Sequence, residues 1–140
     1  MEKTKFIIKQ FDVVVYPRQV WIAAGGTRED LAKRFTDDDG DPMYVVPEKI
    51  KSSEALAFSV YDARHQRCGS LVWFHDITRI TLRNVAHESV HAANFIFSDL
   101  GIRIDVDNDE PQAYLVGFIA DCIEKVQIEV VREKLKPKKK

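Results

Sequence analysis

The chain of 140 residues has little of the material on which disulfide-rich and membrane-spanning folds depend. Its two cysteines, Cys68 and Cys122, are too few for a disulfide framework. No apolar run approaches the roughly 20 residues needed to cross a bilayer. The apolar start, Phe6–Tyr16, is interrupted by polar residues and makes a poor signal-peptide core. These absences predict a cytoplasmic protein with two free thiols and no membrane partner.

The chain also lacks an excess of positive or negative charge. The formal net charge is -1, so electrostatics give no reason to expect nucleic acid as a partner. No repeat or Gly/Ser/Pro-rich linker divides the chain, and the hydrophobic content of 45% is that of an ordinary globular protein. We therefore predict one domain over residues 1–135, long enough to bury a core, followed by a disordered basic tail at 136–140.

The first half of the chain has the composition of β-strands. Runs rich in β-branched and aromatic residues predict strands within Phe6–Tyr16, Val20–Ala24, Ala55–Asp62 and Ser70–Phe74. Thr27, with Asp30 three residues later, predicts the N-cap of a short helix that ends near Phe35. The polar turn that follows has aspartates at calcium-loop spacing, but Pro42 occupies the position that needs glycine, so we predict a solvated loop.

The second half has a helical period. Thr78 or Thr81 can cap a helix that runs to Leu100, and Gly101 is placed to end it. Pro111 suits the first turn of a second long helix that reaches about Leu135. This helix is apolar on nearly every side between Tyr114 and Ile123, which predicts burial there. The predicted class is α+β, with a small N-terminal sheet followed by two long helices.

Two histidines share one face of the first long helix. At 100° per residue His91 lies about 40° from His87, and Glu88 lies about 100° from it. Asn84, Asn94 and Ser98 fall on the same face as the histidines. No Lys or Arg occurs between Arg83 and Arg103, so this polar face lacks the long charged side chains typical of a solvated surface. Imidazoles one turn apart can bind a single metal ion.

The sequence His87-Glu88-Ser89-Val90-His91 is the HExxH signature and resembles the zincin metallopeptidases. The resemblance implies that His87 and His91 bind zinc and that Glu88 is the general base, which takes the proton of a zinc-activated water. Neutral imidazoles suit this chemistry, because they leave the zinc acidic enough to lower the pKa of water toward about 7.

A second motif, Glu110-Pro111-Gln112-Ala113, resembles the E-x-x-A pattern that opens the second helix of Glu-type zincins. These include small peptidases of phages and other mobile elements, some of which act on repressors. The resemblance runs from His87 to about Ile123 and implies a zincin-like fold with Glu110 as the third zinc ligand. Tyr114 lies one turn later and can donate a hydrogen bond to the oxyanion, or it can be a packed aromatic residue.

Three functions remain open at this point. The first is a zinc peptidase whose protein or peptide substrate adds as a strand beside Ser70–Phe74. The second is a non-catalytic, zinc-stabilised protein-interaction domain of a phage or mobile element, in which Glu88 would have no use. The third is a plain α+β domain without metal. The sequence specifies neither the substrate nor the oligomeric state.

The third zinc ligand gives a first prediction. Glu110, Asp121 and Glu124 share a face of the second helix, but the last two lie roughly 16 to 21 Å further along its axis. We expect Glu110→Ala to weaken zinc binding by orders of magnitude, and Asp121→Ala and Glu124→Ala to leave it nearly unchanged. Zinc titration of the three purified variants measures this. Tight binding by Glu110→Ala would transfer the ligand role to the other end of the helix.

Overall fold

The computed structural model describes residues 4–43 and 55–137. Its elements are β1 Ile7–Asp12, β2 Gln19–Ala24, α1 Arg28–Ala32, β3 Ala55–Asp62, β4 Arg67–Phe74, a 3-10 turn Ile77–Arg79, α2 Leu82–Asp99 and α3 Glu110–Leu135. The α+β class is confirmed. No helix in these residues is long and apolar enough to span a membrane. Most of the predicted basic tail, residues 138–140, lies outside the described ranges.

Local capping signals set most helix boundaries. The Thr27 hydroxyl accepts a hydrogen bond from the Asp30 backbone N–H, and the Asp30 carboxylate accepts one from Thr27 in return, so the predicted N-cap is confirmed. The helix ends before Phe35, earlier than predicted. Thr81, rather than Thr78, caps α2, where its hydroxyl accepts from the backbone N–H of Asn84.

The helix α2 ends next to Gly101, as predicted. Gly101 adopts φ +71°, which a residue with a side chain rarely does. The backbone N–H of Ile102 donates to the Phe97 carbonyl at 2.8 Å, and that of Gly101 donates to the Ser98 carbonyl at 3.2 Å. This pair of bonds is a Schellman motif, which closes the helix and turns the chain toward α3.

The four strands form one sheet in the order β1-β2-β4-β3. The central pair, β2 and β4, is parallel, and the two outer pairs are antiparallel. Gly69 of β4 lies so close to β2 that an added Cβ would be 1.8 Å from the Gln19 carbonyl oxygen, so only glycine fits. The prediction that a substrate strand adds beside Ser70–Phe74 is wrong, because both edges of β4 are already paired. The outer strands are β1 and β3.

The sheet has a buried face on each side. Alternate residues of β2 and β4 point to opposite faces, as strand geometry requires. One face packs against α2 and α3 through Val20, Ile22, Val72 and Phe74. The other packs against α1 and the residues after it through Trp21, Leu71, Trp73, Leu31 and Phe35. The long helices therefore cover a single face of the sheet.

The helix α3 is buried on one side only, which corrects the predicted burial of Tyr114–Ile123. Leu115, Ile119 and Ile123 are buried against α2 and the sheet. Tyr114 is 77% exposed. The physical reason is that α3 belongs to the outermost layer of the described residues, so the apolar residues on its outer side meet no further layer.

Small residues let α2 approach the sheet closely. Ser70 of β4 is fully buried, and its hydroxyl donates a 2.7 Å hydrogen bond to the carbonyl of Ala92 in α2. Ser89, one turn earlier on α2, is also fully buried. Its hydroxyl has no hydrogen-bond partner within residues 4–43 and 55–137. The two serines thus have equal burial but unequal hydrogen bonding.

This contrast predicts opposite effects of one substitution. Ser70→Ala removes a buried hydrogen bond and should lower the free energy of unfolding by about 1 to 2 kcal/mol. Ser89→Ala removes a buried hydroxyl that has no partner in the described part of the chain and should leave stability unchanged or raise it. Urea unfolding followed by circular dichroism measures both variants. Equal losses in the two would contradict the account of how α2 is held on the sheet.

Candidate metal centre

The two histidines converge on the exposed face of α2. Their Nε2 atoms are 3.1 Å apart. The ring centroids are 4.7 Å apart, with the ring planes at 70° to each other. The helix fixes this arrangement, because a spacing of four residues places His87 and His91 on adjacent turns of one face. The structure brings the predicted pair together at the surface.

The separation of the nitrogens suits a shared metal ion. Two imidazole nitrogens bound to a tetrahedral zinc at 2.0–2.1 Å are about 3.3 Å apart. The observed 3.1 Å differs from this by only a few tenths of an ångström. A direct hydrogen bond between the rings has a similar length when one Nε2 is protonated. The two nitrogens can therefore occupy two of the four ligand positions of a tetrahedral zinc. Without metal, a hydrogen bond between the rings holds them in the same geometry.

Glu88 lies beside the pair but inside the protein. Its residue is 8% exposed, and Oε1 is 3.9 Å from Nε2 of His87. Burial raises the pKa of the Glu88 carboxyl, and the neighbouring imidazoles of His87 and His91 lower it by a smaller amount. The net result is a carboxylate that takes up a proton more readily than an exposed one. This is the property required of a general base.

The predicted third ligand does not join the pair in this structure. No group of three His, Cys, Asp or Glu side chains positioned to hold a metal occurs in the described ranges. Glu110 is exposed at the start of α3. Gln112 donates to Asn94 and Gln127 donates to the Ile80 carbonyl, so α2 and α3 run antiparallel. The histidines lie level with the part of α3 between these two contacts. The assignment of Glu110 as a ligand remains a prediction.

Tyr114 lines an apolar groove formed with Val13, Tyr16 and Leu115. It is two residues after Gln112 on α3, so the two side chains leave the helix about 160° apart. Since Gln112 contacts the histidine-bearing helix, Tyr114 is directed away from it. The structure does not bring Tyr114 to the histidine pair, and its oxyanion role remains a prediction.

The amide pair formed by Asn94 and Gln112 was not assigned a role from the sequence. Gln112 begins the stripe that continues through Leu115 and Ile119, the buried face of α3. A polar residue at such a position needs a hydrogen-bond partner. The polar side chain on the histidine face of α2, Asn94, provides it at 2.8 Å. A polar residue on an apolar stripe is therefore the sequence signal that indicates such a hydrogen bond between the helices.

The other two histidines contact residues close to them in the sequence, and the cysteines form no disulfide. His65 lies in the β3–β4 turn, where its Nδ1 is 2.9 Å from the buried carboxylate of Asp62. The ring of His75 packs on Trp73 at a centroid distance of 4.2 Å. Both cysteines are free thiols, as predicted. Burial raises the pKa of Cys122 to about 12, so its thiol is unreactive at neutral pH.

Comparison of the chain with known protein families, with curated proteins and with solved structures finds no match. Three side chains support a candidate site on α2: the converging imidazoles of His87 and His91 and the buried carboxylate of Glu88.

The burial of Glu88 gives a prediction on stability. The pKa of the Glu88 carboxyl is raised above the ordinary 4.5 in the folded protein. The neutral carboxyl therefore makes its full contribution to the free energy of unfolding below pH 4.5, and this contribution is lost as pH rises through the folded-state pKa. In metal-free protein Glu88→Gln should therefore raise Tm at pH 7 by about 3 to 5 °C, the shift that corresponds to ~1 kcal/mol. The difference in Tm between Glu88→Gln and the wild type should shrink at pH 4.

Thermal melts in EDTA at the two pH values measure this effect. Glu124→Gln is the matched control, because it makes the same chemical change at an exposed position of α3. An equal Tm of wild type and Glu88→Gln at pH 7 would show that the carboxylate is well solvated in the folded protein.

Proposed function

We propose that this protein is a zinc-dependent peptidase of zincin type, in which His87, His91 and Glu110 hold the metal. The main support is the 3.1 Å approach of the two Nε2 atoms beside a buried glutamate. Zinc, when bound, supplies a Lewis acid that polarises the peptide carbonyl and makes water a better nucleophile. The two proposed histidine ligands and the proposed base, Glu88, lie on one helix, which supports such a reaction.

The chain itself supplies the proton transfer. Glu88 cannot replace a histidine as a ligand in this arrangement, because it leaves the helix on a different side and is buried. Its raised pKa favours taking a proton from the attacking water. The protonated carboxyl then donates that proton to the leaving amine, so Glu88 ends the cycle as a carboxylate. Exposure of the histidines leaves the site open to a peptide.

We further propose that the peptide adds to the sheet at β3. This strand forms one edge of the sheet, and α2 packs across it. At one end of the edge, Thr36 and Tyr61 exchange two backbone hydrogen bonds of 2.9 and 3.0 Å. Within the described ranges the rest of β3 has no second strand partner. An extended substrate paired there would run beside the helix that bears the histidines.

A second candidate is the zinc-stabilised protein-interaction domain. One observation favours it: neither Glu110 nor Tyr114 lies with the histidine pair in the described structure. Against it stands Glu88, because a purely structural zinc site has no use for a buried acid that binds no metal. We therefore retain the peptidase as the proposed function.

The test is to separate metal binding from turnover. We expect about one zinc per chain in protein purified without a metal-chelating tag, and loss of stoichiometric zinc in His87→Ala and His91→Ala. Glu88→Gln should keep the zinc and the fold but lose at least 100-fold in hydrolysis, the lower end of the effect of removing a general base, about 10²–10⁴-fold. Metal analysis and cleavage of fluorophore-labelled casein and a random peptide library are the measurements.

The control for the histidine variants is His65→Ala, which removes an imidazole from the β3–β4 turn and should keep the zinc. Full zinc retention in both His87→Ala and His91→Ala would end the metal hypothesis. Wild-type hydrolysis by Glu88→Gln would remove the proposed base and leave zinc without the peptidase mechanism.

A further inference from the structure

A cavity on the α1 side of the sheet is lined by four basic side chains. Lys33 and Arg34 directly follow α1, and Arg64 and His65 lie in the β3–β4 turn. The cavity has a volume of about 550 Å³, which falls within the range of small-molecule sites, roughly 300–1,000 Å³. No Asp or Glu among the described residues lines it. A concave surface lined by charge of one sign attracts ions of the opposite sign.

A buried carboxylate orients His65. Asp62 is fully buried at the end of β3, and its Oδ2 is 2.9 Å from Nδ1 of His65. Burial raises the pKa of the Asp62 carboxyl, but hydrogen bonds from His65 and the charge of Arg34 lower it by more, so Asp62 is ionised at neutral pH. Since a carboxylate only accepts hydrogen bonds, Nδ1 bears a proton and Nε2 faces away from Asp62. The His65 side chain is 56% exposed, so a ligand in the cavity can reach the ring.

The same carboxylate helps to hold Arg34. Its Oδ2 is 3.4 Å from Nε of Arg34, and Nη2 of Arg34 donates to Oε1 of Gln10 in β1 at 3.3 Å. Gln10 donates in turn to the side chain of Gln19 in β2 at 3.0 Å. The guanidinium is thus held from two strands while its side chain stays 32% exposed. A cation that is already held in place loses less conformational entropy when a ligand binds.

The acidic residues nearest to Lys33 in the sequence have partners of their own. Asp30 caps α1 and forms a 3.7 Å ion pair with Lys33. Asp37 accepts hydrogen bonds from backbone N–H groups of its own turn, and Asp38 accepts one from the Ser59 hydroxyl at 2.9 Å. In the described part of the chain, the basic side chains of the cavity therefore outnumber the carboxylates that pair with them.

We propose that this cavity binds the phosphate group of a phosphorylated small molecule. A phosphate monoester has three acceptor oxygens and a charge of about -1.5 to -2 at pH 7. These suit a cavity lined by two guanidinium groups, an ammonium and an imidazole, whereas a carboxylate has two oxygens and a single charge and leaves donors unused. The volume leaves room for the organic part of the ligand. Because α2 packs on the other face of the sheet, this inference does not depend on the proposed function.

Titration with phenyl phosphate, followed by two-dimensional NMR of isotope-labelled protein at about 150 mM salt, tests the proposal. We expect saturable shifts of the backbone amides at residues 32–36 and 62–66. Benzoate should bind at least tenfold more weakly, which is about the effect of losing one charge-assisted hydrogen bond. Inorganic phosphate, the other source of the same group, should bind no more tightly than phenyl phosphate.

Three results of this titration would overturn the proposal. The absence of saturable shifts at these residues would remove the site. Equal affinities for phenyl phosphate and benzoate would remove the assignment to phosphate. Tighter binding of inorganic phosphate than of phenyl phosphate would remove the organic part of the ligand.

Two variants test the lining residues. Arg64→Gln and His65→Asn should each weaken phenyl phosphate binding about tenfold. Asparagine keeps a side-chain N–H within reach of Asp62 and lacks the atom that corresponds to Nε2. Arg67→Gln is the matched control, because it removes the same charge from a nearby exposed residue that does not line the cavity. It should change the affinity less than about twofold.

The comparison of Arg64→Gln with Arg67→Gln separates a site from diffuse surface charge. Equal losses of affinity in the two would overturn the proposal, because the charge of the surface as a whole would then account for the binding. Unchanged affinity in both Arg64→Gln and His65→Asn would also overturn it. Thermal melts verify that each variant is folded, and all three changes are at exposed positions.

Discussion

The close packing of α2 on the sheet determines where His87, His91 and Glu88 lie. The stripe of α2 that faces the sheet contains Ser89, Ala92 and Ala93, all fully buried, and the hydroxyl of Ser70 in β4 donates to the Ala92 carbonyl. Small side chains allow the helix to come close, and the hydrogen bond fixes its rotation. Since each residue advances by 100°, this rotation exposes the histidine face and buries the intervening glutamate.

The buried position of Glu88 lowers the stability of the fold. A protein selected for stability alone would place an apolar residue, and not Glu88, at a position that is 8% exposed. Trade-offs between stability and activity commonly concentrate at functional sites. The hydroxyl of Ser89, the next residue, has no hydrogen-bond partner among the described residues and belongs to the same stretch. A buried carboxylate and a buried hydroxyl side by side, next to two converging imidazoles, support the proposed site.

The sequence allowed the helix ends to be predicted because their signals act over a few residues: Thr27 with Asp30, Thr81, Gly101 and Pro111. The histidine pair followed from spacing on one helix for the same reason. The interior position of β4, the burial of Glu88 and the direction of Tyr114 depend on which elements pack together. Long-range packing has no signature at fixed spacing, so the sequence predicts an accessible strand at Ser70–Phe74 and full burial of Tyr114–Ile123, and both predictions are wrong.

The parallel pairing of β2 with β4 has a consequence for how the chain folds. Gln19 pairs with Gly69, 50 positions along the chain, whereas Asp62 and Arg67 at the β3–β4 turn are five apart. Closing the longer loop costs about 2 kcal/mol more in chain entropy. The contacts of the histidine helix with β3, β4 and α3 lie within residues 55–135 and are comparatively local, whereas Tyr16 and Arg18 contact Phe97 and Asp99 of this helix from the first part of the chain. Because non-local pairing slows folding, the parallel pairing of β2 with β4 makes the sheet the slower part of the fold to form, and the helix pair that bears the histidines depends less on it.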